Sequence, residues 1–114
     1  MKRFGGEIIS SPYSLIELDL LVKSDIITIS DTEAFYSALN SLLKYRGIKT
    51  LSPKPTYHAK AFNLRKRYRR LTYFDSLHAG TAITESLELI SYDRIYANID
   101  VLKYILPTYY LELR

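Results

Sequence analysis

The order of segments along this chain predicts an α/β fold of three layers, with helices on both faces of a mostly parallel sheet. Short apolar runs at residues 7–11, 48–52 and 87–91 alternate with segments whose apolar residues recur at helical spacing. Pro12, Gly47 and Pro53 punctuate the alternation, and Ser, Thr and Asp residues stand where helices should begin. The 114 residues give one domain, with no room for a second core and no internal repeat.

Taken in order, Gly5-Gly6 forms a flexible entry, and residues 7–11 read as a short buried strand stopped by Pro12. Residues 13–23 form a helix through Leu15, Leu18 and Val22, with Ser14-x-x-Glu17 as a capping box. Ser30-Asp-Thr-Glu33 is a second box, opening a helix to about residue 45 with Phe35, Leu39, Leu42 and Leu43 on one face. Gly47 ends it. Residues 48–52 are the second strand, closed by Pro53-Lys-Pro55. Thr56 caps a third helix to about residue 68, with Ala59, Ala61 and Phe62 inward. Thr72-Tyr-Phe-Asp75 caps a fourth, running to about residue 85 with Leu77, Ala79, Ala82 and Ile83 for packing. Residues 87–91 make the third strand and 93–98 a turn or short helix. Residues 101–105 read as a brief helical piece before Pro107, and 108–113 as a last strand.

Composition narrows the chemistry. The chain has no cysteine, which removes disulfides, thiolate metal sites and cysteine nucleophiles. Two histidines, His58 and His78, argue against a histidine-built zinc site. A net charge of +4 is compatible with a polyanionic partner. No apolar run approaches the ~18 residues of a membrane span. Met1-Lys-Arg lacks the apolar stretch of a signal peptide, so a cytoplasmic location is expected. Eleven tyrosines and no glutamine hint at a heat-loving source.

Three acids stand where an open parallel sheet presents its ligands, just past strand ends: Glu17, Asp75 and Asp93. Clustered carboxylates suit Mg²⁺ or Mn²⁺, which take oxygen ligands and drive phosphodiester cleavage. The same acids also suit structural work. Glu17 and Asp75 sit at the third position of capping boxes, and Asp93 at a turn. Spacing leaves both readings open.

Three segments together resemble the PIN-domain family, small metal-dependent ribonucleases that include the VapC-type toxins. They are Ser11-Pro-Tyr-Ser-Leu-Ile-Glu17-Leu-Asp-Leu-Leu, Phe74-Asp75-Ser-Leu-His78-Ala-Gly-Thr-Ala and Leu89-Ile-Ser91-Tyr-Asp93-Arg. The resemblance implies that Glu17, Asp75 and Asp93 are catalytic metal ligands for Mg²⁺ or Mn²⁺, with Ser91 as the hydroxyl of the turn. His78 falls in the family's Leu-His-Ala pattern, as a packed and hydrogen-bonded residue more than a ligand. One departure stands out: the family opens with a central strand ending in an aspartate ligand, and this chain begins at what would be the second strand, as though N-terminally truncated. A late start, a relative that binds RNA or a protein without cutting, and a sheet completed by another chain each account for it.

Arg65, Lys66, Arg67, Arg69 and Arg70 form the densest charge run, broken only by Tyr68. Such a run grips phosphates or simply complements a helix C-terminus. The family resemblance favours RNA, with Tyr68 or Tyr73 stacking on a base. Tyr92, Tyr96, Tyr104, Tyr109 and Tyr110 read as core and interface residues, suited to a homodimer or an antitoxin surface.

Overall fold

Helices carry most of this α/β chain, and the computed structural model describes residues 8–108. They divide into two compact units, one ending at Ser52 and the other beginning at Pro53.

The first unit holds β1 (Ile9–Ser10), α1 (Ser14–Lys23), α2 (Thr32–Arg46) and β2 (Lys49–Thr50). β1 and β2 pair in parallel, Ile9 with Lys49 and Ser10 with Thr50. The expected Ser14–Glu17 capping box does not form. The helix starts one residue early, with Tyr13 as N-cap in helical backbone (φ −95°, ψ −11°) and no side-chain cap. A box needs its N-cap residue in extended backbone, and here the turn after Pro12 holds Ser14 inside the helix. On α2 the cap is Asp31 rather than Ser30, accepting from the Ala34 N–H at 3.0 Å. The Tyr36 hydroxyl donates to Asp19 Oδ1 at 2.8 Å and joins α2 to α1; the neighbouring carboxylate raises the phenol's pKa.

The second unit holds α3 (Pro55–Arg67), α4 (Tyr73–Thr84), β3 (Leu89–Ile90), a 3₁₀ helix (Arg94–Asn98) and β4 (Tyr104–Ile105). α3 begins one residue before Thr56. Lys54 is its N-cap and Pro55 takes the first helical position, where a missing N–H costs nothing. Tyr57, Ala61 and Leu64 form its buried face, while Phe62 is exposed and Ala59 points outward. The reason lies across the interface. A Cβ on Gly80 would stand 2.9 Å from the Tyr57 carbonyl and 3.0 Å from the Ala61 nitrogen. The two helix backbones therefore touch at Gly80, and the Tyr57–Ala61 ridge is the one that meets it.

Tyr57 is fully buried, yet its hydroxyl donates to Glu85 Oε2 at 2.6 Å. Lys54 Nζ reaches the same oxygen at 3.3 Å, so the start of α3 is latched to the end of α4. The hydrogen bond to Glu85 pushes the Tyr57 phenol up to about 12 and, with Lys54, lowers the Glu85 carboxyl. Behind the helices, Leu64, Leu71, Ala79, Ala82, Tyr96, Ile99 and Leu102 form the core.

β3 and β4 pair in parallel, Leu89 with Tyr104 and Ile90 with Ile105. The end of the 101–105 segment is thus a strand and not helical. Leu89 N–H donates to the Lys103 carbonyl at 2.8 Å, and Ser91 N–H to the Ile105 carbonyl at 3.3 Å. Pairing with β3 overrides a weak local helical pattern, as tertiary context does in short segments. Glu7 and residues 109–113, assigned to strands from the sequence, lie outside the described residues.

Candidate functional site

Asp75 is the third residue of α4 and closes a capping box with Thr72. Its own N–H donates to Thr72 Oγ1 at 3.2 Å, and the Thr72 N–H donates back to Asp75 Oδ2 at 3.3 Å. The other oxygen, Oδ1, accepts from the Tyr96 hydroxyl at 3.3 Å. The local sequence sets the first contact; the second comes from a residue on the 3₁₀ helix.

Asp93 is the N-cap of that 3₁₀ helix, its Oδ1 accepting from the Ile95 N–H at 3.0 Å. The Asp93 N–H donates to Ser91 Oγ at 3.1 Å. Ser91 in turn is held by the Tyr104 hydroxyl, which donates to its carbonyl at 2.9 Å. The rings of Tyr96 and Tyr104 lie 5.9 Å apart. One tyrosine thus fixes Asp75 and the other fixes the turn that carries Asp93. Tyr96 is a functional residue that sequence reasoning assigned only to the core. It lies 21 residues from Asp75, and nothing in the local pattern announces that contact.

Glu17 lies in the first turn of α1, in the first unit. His78, one turn past Asp75, is half-buried with its ring 6.5 Å from Phe74. Among the described residues, no group of three or more His, Asp or Glu side chains is gathered closely enough to hold a metal ion.

The basic run splits into two kinds of residue. The half-buried Arg65 donates from Nη1 to Ser76 Oγ at 2.6 Å, and its guanidinium lies over the rings of Tyr73 (5.2 Å) and Phe62 (6.0 Å). Arg67 lies over Tyr68 and 3.6 Å from Asp100. Lys66, Arg69 and Arg70 are exposed, the first with its ammonium 5.5 Å from the Phe62 ring centroid.

The donor set fits a hard divalent cation. Mg²⁺ is usually held by one or two carboxylates with waters and substrate phosphates, and Asp75 and Asp93 supply two. Each carboxylate oxygen carries two lone pairs, so a single hydrogen bond leaves one for an ion.

Compared with known protein families, the chain matches the PIN domain over residues 2–102. No curated protein and no solved structure matches it significantly. Among the described residues, no helix is long and apolar enough to cross a membrane.

Proposed function

Because the chain belongs to the PIN domain family, we propose that it is a metal-dependent endoribonuclease scaffold of the VapC type, cutting RNA phosphodiesters with the help of Mg²⁺ or Mn²⁺. The observation that carries this reading is the hold on Asp75: one oxygen is fixed by Thr72 and the other by Tyr96, from the 3₁₀ helix that Asp93 opens. Side chains held on two sides are what a site needs when small displacements are costly.

In this reading Asp75, Asp93 and Glu17 hold the ion, and Ser91 and His78 support them. When bound, the ion supplies activation of water and neutralisation of phosphate charge. Tyr96 and Thr72 keep the Asp75 oxygens oriented. Lys66, Arg69 and Arg70 hold the RNA backbone directly, while Arg65 and Arg67 set the shape of the surface around them.

A second copy of the chain is the proposed partner of the first unit, with an antitoxin as the other candidate. Neither α1 nor α2 contains a fully buried residue, and Leu15, Ile16, Leu20, Phe35 and Leu42 are exposed. Apolar side chains gathered in this way favour a protein partner. The same reading puts the protein in the cytoplasm, with its RNA substrate.

The test is cleavage of RNA by the purified chain in Mg²⁺ or Mn²⁺, beside Asp75→Asn. Cleavage should fall by about a hundredfold or more in the variant. Equal activity in the two proteins, or none in either, overturns the catalytic reading and leaves a PIN module that binds RNA or protein without cutting.

A further inference from the structure

A small open cavity of about 120 Å³ lies between the α3–α4 connection and the 3₁₀ helix, lined by residues from both. One water needs roughly 10–15 Å³ of such space, so the cavity is on the scale of a planar ring rather than a single solvent molecule.

Its floor is apolar and firmly set. Leu71 and Ile99 line it, and both are buried members of the core. Tyr68 forms one wall, with its hydroxyl accepting from the Asp100 N–H at 3.4 Å. The rim is polar. Asn98, at the end of the 3₁₀ helix, and the consecutive Arg69 and Arg70 line the cavity, and all three are exposed residues.

We propose that this cavity is a nucleobase pocket for single-stranded RNA, an inference that rests on the ribonuclease reading and names its substrate form. An apolar floor and an aromatic wall accept the face of a base, and an amide offers the paired donor and acceptor that match a base edge. Two guanidinium groups at the rim suit the phosphates on either side of that base. A lipid chain or an apolar peptide would find no use for the guanidinium pair, and an acidic peptide none for the ring-sized apolar floor. Duplex RNA has its base edges and faces occupied, which selects an unpaired nucleotide.

The position agrees with the chemistry. The pocket shares its 3₁₀ helix with Asp93, and Leu71 directly precedes the Thr72–Asp75 box. A base seated there belongs to a strand that runs past both acids.

The experiment is fluorescence anisotropy of the full chain with a short fluorescein-labelled single-stranded oligoribonucleotide in EDTA, so that binding is read without cleavage. The same probe annealed as a duplex, and an abasic chain of equal length, should each bind about tenfold more weakly or worse, the scale of one lost base–aromatic stack. Asn98→Ala should weaken binding of the intact strand several-fold with the salt slope unchanged. Arg69→Ala with Arg70→Ala should lower that slope by about two, one for each lost phosphate contact. These side chains are exposed, and unchanged thermal unfolding verifies that each variant keeps its fold. An abasic or duplex probe bound as tightly as the single strand, or an Asn98→Ala protein indistinguishable from the parent, overturns the pocket. Failure of cleavage with these binding differences intact overturns only the catalytic reading.

Discussion

Asp75 accepts a hydrogen bond on each carboxylate oxygen, and the two donors differ in kind. The Thr72 N–H belongs to the helix start and would be there in any capped helix. The Tyr96 hydroxyl is a buried phenol brought in from the 3₁₀ helix, and its only described partner on α4 is this acid. Tyr96→Phe keeps the ring in the core and removes that donor alone. We expect Mn²⁺ affinity, read by titration calorimetry, to fall several-fold, while thermal stability drops by only about 1 kcal/mol, the usual worth of one hydrogen bond. An unchanged Mn²⁺ affinity would show that Tyr96 serves only the core. At this scale the sequence was legible where chemistry is local. The Thr72–Asp75 box and the Asp93 turn can be read from neighbours three residues apart or fewer, but the Tyr96 and Tyr104 contacts close loops that no local pattern encodes.

Among the elements, α3 and α4 are held by the Gly80 contact at their crossing and the Tyr57–Glu85–Lys54 latch at one end. The latch has a pH signature. Tyr57 is raised from its ordinary value near 10 to about 12, so it binds its proton more tightly folded than unfolded. Stability from this group is complete below about pH 10 and is lost as the pH climbs to about 12. Glu85 is shifted the other way, so its contribution is present above the ordinary glutamate range and fades as the pH falls through it. Tyr57→Phe should flatten the alkaline loss and soften the acid one in chemical denaturation across pH; an alkaline limb identical to the parent's would refute the latch.

Helix ends repeat one device. Ile26 N–H bonds the Leu21 carbonyl, Ile48 the Leu43 carbonyl and Leu87 the Ala82 carbonyl, each just after a residue of positive φ. Gly47 holds that position on α2, where its lack of a Cβ makes φ +67° unstrained, and it was legible for that reason. Asp25 and Ser86 do the same at φ 61° and 56° and carry no such signal. β4 was misread because two paired residues draw their stability from β3, not from their own propensity.

For the whole molecule, burial is unevenly shared. The second unit holds the described core cluster, whereas α1 and α2 leave Leu15, Leu20 and Leu42 about half exposed at 52%, 44% and 53%. The alternation of runs and helices made the α/β class readable, but amphipathic spacing says only that a face wants cover, not what covers it. A dimer through these faces should appear in sedimentation velocity at micromolar concentration, and Leu15→Glu with Leu20→Glu should return it to monomer. A parent chain that sediments as a monomer would refute self-association.

The same unevenness sets where this chain can change. Substitutions on α1 and α2 remove little buried area, so selection can retune what those helices meet at small energetic expense. On the Tyr57–Ala61–Gly80 seam one added methyl already collides with backbone, and drift there is barred. Lineages carrying this chain are therefore free to swap associates quickly while the acids and their tyrosine props stay put.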